Sequence, residues 1–204
     1  MQHESFKILH KEIVYKGYCQ VELYTLQNRL FSGAFSEPYQ REIVRRYNAV
    51  AALPYDPVQN KIVLIEQFRA PAIFQEQKSP WLLELVAGVT DKANESHENL
   101  IRREIMEEAG LECRRLIPIT TFLASPGGSS EEVTIFCAEV DAAKAPRFCG
   151  LSEENEDIKI HLFEPEETFA MVKNGTINNG SAIIALQWLE LNFAKVRQKW
   201  LEPV

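Results

Sequence analysis

Residues 103–111 read Arg-Glu-Ile-Met-Glu-Glu-Ala-Gly-Leu, and three carboxylates there stand where they could act together. Glu104, Glu107 and Glu108 occupy i, i+3 and i+4. On a helix that spacing stacks all three on one face. Like charges so placed destabilise an isolated helix by roughly 0.2–0.5 kcal/mol per pair. Two carboxylates about 4 Å apart repel by about 4 kcal/mol at an effective dielectric of about 20. A positive charge should offset that cost, and a hard, oxygen-seeking divalent cation such as Mg²⁺ fits. The plain alternative is an acidic helix face turned to water, since charge runs are usually solvated.

A helix from about Ser96 to Ala109 positions these carboxylates. Ile101, Ile105 and Ala109 fall on its other side and can pack, and Gly110 is placed to end it. Around it, short apolar runs predict strands at Lys61–Glu66, Trp81–Ala87, Leu116–Leu123, Glu132–Val140 and Ile158–Phe163. A short helix is predicted over Glu166–Val172 and a last one from Ser181 to about Lys199. Ala49–Leu53 is a further apolar run, followed by a turn at Tyr55-Asp56-Pro57. Upstream, residues 5–46 alternate apolar and polar side chains in short runs punctuated by Gly17 and Gly33, as in a small antiparallel sheet. Such a sheet alone buries too little surface to be stable. The pattern fits an α+β sandwich with a small N-terminal β domain at 1–46 and a main domain at 47–204.

The 204 residues carry a formal net charge of −7, which argues against nucleic acid or an anionic membrane as the main partner. No apolar run approaches the roughly 20 residues that span a bilayer. The first residues, Met1-Gln2-His3-Glu4, show no basic and apolar leader pattern. Cys19, Cys113, Cys137 and Cys149 are scattered, without a CxxC pair, and read as reduced packing cysteines. A cytoplasmic enzyme is the expectation.

Together with Gly88 and Glu95, the acidic stretch resembles the Nudix box, G-x5-E-x7-R-E-U-x-E-E-x-G-U, with U aliphatic. From Glu95 onward Arg103, Glu104, Ile105, Glu107, Glu108, Gly110 and Leu111 meet every fixed position. Six residues, not five, separate Gly88 from Glu95, so the loop before the helix carries one extra residue. The resemblance implies a Nudix fold, a mixed sheet sandwiched between helices. It also implies that Glu104 and Glu108 bind metal directly, and Glu107 directly or through water. The backbone carbonyl of Ala87 adds another oxygen, while Gly88, Glu95, Arg103 and Gly110 are structural in the motif.

Ser125-Pro126-Gly127-Gly128-Ser129-Ser130-Glu131 reads by itself as a turn or as a loop whose glycines let backbone approach a ligand. Pro126 lies 15 residues past Leu111. That placement resembles the Nudix subgroup of bacterial ADP-ribose pyrophosphatases and implies substrate contacts at Ser125, Gly127 and Glu131. Residues 152–158 form a second acidic stretch, by itself a solvated loop or a source of a general base. The same resemblance implies Glu154 as the base and Glu156 as a further metal ligand. It runs along nearly the whole chain, through Glu66-Gln67-Phe68-Arg69, Leu82–Gly88 and Ala185–Leu189. It implies a homodimer with exchanged N-terminal sheets, in which Tyr18 and Arg41 hold the adenine and Arg46 and Arg69 contact the substrate.

The expectation is thus a cytoplasmic ADP-ribose diphosphatase using two or three Mg²⁺ per site, with Mn²⁺ as an alternative. A hydrolase of another nucleoside diphosphate sugar, such as GDP-mannose, is the nearer rival. A non-catalytic nucleotide-binding module is the other, though such a module should have lost box carboxylates that are present here.

Overall fold

Alternating side chains fold the N-terminal stretch into an antiparallel sheet of β1 (Phe6–Lys16), β2 (Gln20–Asn28) and β3 (Tyr39–Arg45), in that order. These elements belong to a computed structural model that describes residues 4–76, 78–151 and 156–202. Glu22 is buried in the sheet, where Lys11 at 2.7 Å and the Tyr24 hydroxyl at 2.5 Å hold its carboxylate. That pairing holds its pKa below the usual glutamate range, against the effect of burial. Residues 4–48 form one compact unit together with Leu123–Glu132. The segment returns to the sheet because the Val44 N–H donates to the Gly128 carbonyl at 2.8 Å and the Ser130 N–H to the Val44 carbonyl at 3.0 Å.

The second unit, Ala49–Phe122 with residues 133–202, holds the larger sheet. Its strands are β4 (Ala49–Asp56), β5 (Lys61–Phe68), β6 (Trp81–Glu84), β7 (Val86–Val89), β8 (Leu116–Leu123), β9 (Glu132–Glu139), β10 (Phe148–Cys149) and β11 (Ile158–Phe163). The order β10-β11-β5-β4-β9-β8 is mixed: β4 runs parallel to β9 and antiparallel to β5. The apolar run 81–87 is not one strand. It breaks at Leu85, so that β6 pairs with β5 and β7 with β4.

Helices cover both faces of this sheet. On one face Leu53, Tyr55, Ile62 and Leu64 pack with Leu186, Leu189 and Trp200 of α3 (Gly180–Leu201) and Phe169 of α2 (Pro165–Lys173). On the other face Val50, Val63 and Ile65 pack with Leu100, Ile101 and Ile105 of α1 (His97–Ala109). The sheet thus lies between helices, as the alternation of buried residues on β4 and β5 requires. The four cysteines are free thiols, and Cys137 is buried. Among the described residues no helix is long and apolar enough to cross a membrane.

Candidate active site

The carboxylates of α1 owe their positions to both ends of that helix. Ser96 caps its start, its hydroxyl accepting from the Asn99 N–H at 3.2 Å. Gly110 closes it with φ 64°, its N–H donating to the Ile105 and Met106 carbonyls. Before the helix the chain turns at Ala93-Asn94, with Asn94 left-handed at φ 69°. Asparagine tolerates that conformation. Glu95 reaches Arg103, at 3.4 Å.

Arg103 organises the acidic face. Its guanidinium pairs with Glu107 at 2.6 Å and Glu104 at 3.0 Å as well as with Glu95. Glu104 sits against Gly88 of β7: a Cβ there would stand 2.2 Å from Glu104 Oε1. That residue must be glycine for the carboxylate to occupy this place. Glu108 is buried, 4% exposed, and its carboxylate accepts the Ala87 N–H at 2.9 Å.

Burial raises the pKa of Glu104, although Arg103 opposes the shift; the charges of Glu107 and Glu156 add to it. Burial likewise pushes Glu108 up to about 8, with the Ala87 N–H opposing and Glu156 and Glu104 reinforcing. Glu156 is thus within electrostatic reach of both helix carboxylates. Its N–H donates to the Leu151 carbonyl at 3.1 Å. Glu154 lies outside the described residues.

Among the described residues no three His, Cys, Asp or Glu side chains converge as a finished metal cage. Arg103 draws Glu104 and Glu107 aside, while the Ala87 amide holds Glu108. The donor set nonetheless suits a hard cation. Oxygen donors predominate, and Glu104 and Glu108, both withdrawn from water, resist ionising together without a cation beside them.

Arg69, just past β5, donates through Nε to Glu84 on β6 at 2.7 Å, and its charge also reaches Glu108. Glu84, 15% exposed as a side chain, and Gln67 of β5 were not singled out from the sequence. Both lie in stretches that carry the family resemblance, and nothing in their spacing gives either a role.

In the N-terminal unit, Tyr18 is exposed in the β1–β2 turn and Arg46 is exposed just past β3. Arg41 stacks its guanidinium on Tyr39, 4.6 Å from the ring centre. Strand register separates Tyr18 from Arg41. Arg41 pairs with Tyr24, and Arg45 with Gln20 beside the turn. The four steps of strand from Gln20 to Tyr24, at about 3.4 Å each, put roughly 14 Å between Arg41 and the strand end that carries Tyr18. Arg41 thus stands opposite the middle of β2, away from the turn that carries Tyr18. Ser125 and Gly127 are exposed, and Glu131 is half-buried. The loop folds on itself through the Gly128 and Ser129 N–H groups, both donating to the Ser125 carbonyl.

The family model for the NUDIX domain matches residues 45–189. The chain is 44% identical over 194 residues to the ADP-ribose pyrophosphatase of Escherichia coli (strain K12), covering 95% of this chain and 92% of that one. It is 34% identical over 183 residues to the GDP-mannose pyrophosphatase of Yersinia pestis (strain Pestoides F), covering 89% and 90%. A crystal structure described as an ADP compounds hydrolase shares the fold, with a TM-score of 0.72 over 97% of this chain and 99% of that one at 20% identity. Glycine-seated Glu104, the arginine clamp and buried Glu108 lie inside the matched region, and by that match the chain belongs to the Nudix family.

Proposed function

We propose that this chain hydrolyses ADP-ribose to AMP and ribose 5-phosphate. What carries the reading is a complete set of box carboxylates, two of them withdrawn from water without full compensation, in a chain 44% identical to an ADP-ribose pyrophosphatase. Glu104 and Glu108, with Glu107 and Glu156, would hold two or three Mg²⁺ ions, or Mn²⁺. When bound, these ions neutralise the diphosphate and stabilise charge developing on the bridging oxygen. Ala87 turns its N–H to Glu108. A strand residue points its N–H and carbonyl to the same side, so the Ala87 carbonyl faces the carboxylates as a further donor.

Glu154 takes a proton from the attacking water. The water oxygen bonds to phosphorus as the bridging P–O bond breaks, and either phosphorus yields the same two products. Arg69 exchanges Glu84 for a phosphate oxygen.

The reading includes a cytoplasmic homodimer with exchanged N-terminal sheets, and the edge of the N-terminal sheet supports the pairing. β1 is an edge strand of 11 residues that exposes Leu9, Ile13, Val14 and Tyr15. Long apolar edges invite pairing with another chain. The distance between Tyr18 and Arg41 adds a specific expectation: each adenine is held by Tyr18 of one subunit and Arg41 of the other. Arg46, Ser125, Gly127 and Glu131 complete the substrate contacts.

GDP-mannose is the second reading, supported by the 34% identity to a GDP-mannose pyrophosphatase. Turnover of ADP-ribose and GDP-mannose with Mg²⁺, with products separated by chromatography, tests both. A clear preference for GDP-mannose would overturn the first reading, and no turnover of either would overturn both.

A further inference from the structure

Gln67 carries a buried donor that the folded chain leaves unsatisfied. The residue is 6% exposed, and its side-chain amide nitrogen has no hydrogen-bond partner. It is the one such buried side-chain atom among the described residues. Buried polar groups in native proteins are nearly always paired, so an orphan calls for a cause.

The strand alternation shows where this side chain points. Val63 and Ile65 of β5 pack with Leu100, Ile101 and Ile105 of α1, and Gln67 is the next residue on that face. Across the hairpin, Gln67 stands opposite Leu82, and Ile65 stands opposite Glu84. Glu84 in turn holds Arg69, whose charge reaches Glu108. The orphan amide therefore lies on the face of β5 that carries Ile65 and fronts α1, at the strand end nearest Arg69. A side-chain NH₂ is a pure donor and needs an oxygen acceptor. A diphosphate brought to this carboxylate cluster would carry such oxygens.

We propose that Gln67 is a substrate-binding residue whose side-chain NH₂ donates to a non-bridging oxygen of the diphosphate. This rests on the hydrolase reading above. In the free protein the donor is unpaired and shielded, which costs the fold stability; in the complex the amide turns out from under its cover and is satisfied by the diphosphate.

The test compares wild type with Gln67→Met, which keeps the volume and removes the donor. Calorimetry with Mg²⁺ measures binding of a non-hydrolysable methylene-bridged ADP-ribose analogue and of adenosine, which lacks phosphate. Thermal melts measure the ligand-free proteins. The expected result is a melting temperature equal to or above wild type, with analogue affinity about ten- to a hundredfold weaker and adenosine binding unchanged. Unchanged analogue affinity overturns the inference, and so does an equal loss for both ligands, which marks Gln67 as structural. If the variant melts lower, a loss confined to the analogue still supports it. A wild-type protein that binds no analogue refutes the hydrolase reading itself, and the role of Gln67 falls with it.

Discussion

Replacing Glu108 by glutamine should abolish activity while making the metal-free protein more stable. Glu108 is 4% exposed, and burial with the charges of Glu156 and Glu104 raises its pKa from the ordinary 4.5 to about 8. A folded-state pKa above the unfolded value means that folding favours the protonated form. The contribution of this group to stability is therefore full below pH 4.5 and is lost as the pH rises through 8. At pH 7 the linkage amounts to about 3 kcal/mol. A glutamine side chain cannot ionise, so Glu108→Gln escapes that loss, less whatever its new NH₂ costs if it finds no acceptor. Roughly 2–4 °C per kcal/mol in a domain of this size makes a gain of several degrees the expectation. The gap between variant and wild type should be small at pH 5 and widen towards pH 8. Mg²⁺ should narrow it, because a bound cation stabilises the native wild type by mass action. The assay is a series of thermal melts from pH 5 to 8.5 with chelator or Mg²⁺, beside turnover of ADP-ribose. A variant less stable than wild type at pH 8 without metal, or a gap that ignores pH, would refute the electrostatic argument. Near-normal turnover at saturating Mg²⁺ would refute the metal role.

Gly88→Ala should displace the Glu104 carboxylate, since a Cβ would stand 2.2 Å from its oxygen. A misplacement of about 1 Å at a reacting centre can cost about a hundredfold, read as kcat/KM with an unchanged circular dichroism spectrum. Glu154→Gln should lower kcat by about 10²–10⁴-fold with little change in KM; a loss confined to KM would make Glu154 a binding residue instead. Tyr18→Ala and Arg41→Ala should each weaken ADP-ribose binding by about 1–3 kcal/mol. Mixed dimers of the two variants should regain activity, because one of their two sites draws both intact residues. No recovery after verified subunit exchange would place both residues of a site on one chain.

The local pattern of residues 88–111 was readable because a helix turns i, i+3 and i+4 onto one face whatever surrounds it. The start and stop at Ser96 and Gly110 follow from local chemistry as well. Strand positions such as Leu116–Leu123 and Ile158–Phe163 were legible for the same reason: alternation is a property of neighbours along the chain. Pairing is not. The break at Leu85, where one apolar run divides between β5 and β4, depends on which strands lie alongside. The state of Glu108 is also a tertiary fact. Its charge is penalised because folding removes it from water and brings Glu156, from the segment between β10 and β11, into reach, and no spacing in the sequence encodes that. Tyr18 and Arg41 read as adenine contacts in the sequence, but only the register of β2 and β3 sets Arg41 opposite Tyr24, roughly 14 Å along the strand from the end that carries Tyr18. Gln67 was invisible beside Arg69 until folding buried its amide nitrogen without an acceptor. The helix, its caps and the identity of its carboxylates were legible in the order of residues alone, because they rest on contacts within a few positions of the chain. Which of these groups are buried, which are clamped by Arg103 and which donor is left unpaired emerged with folding, because desolvation and charge coupling depend on segments distant in the chain.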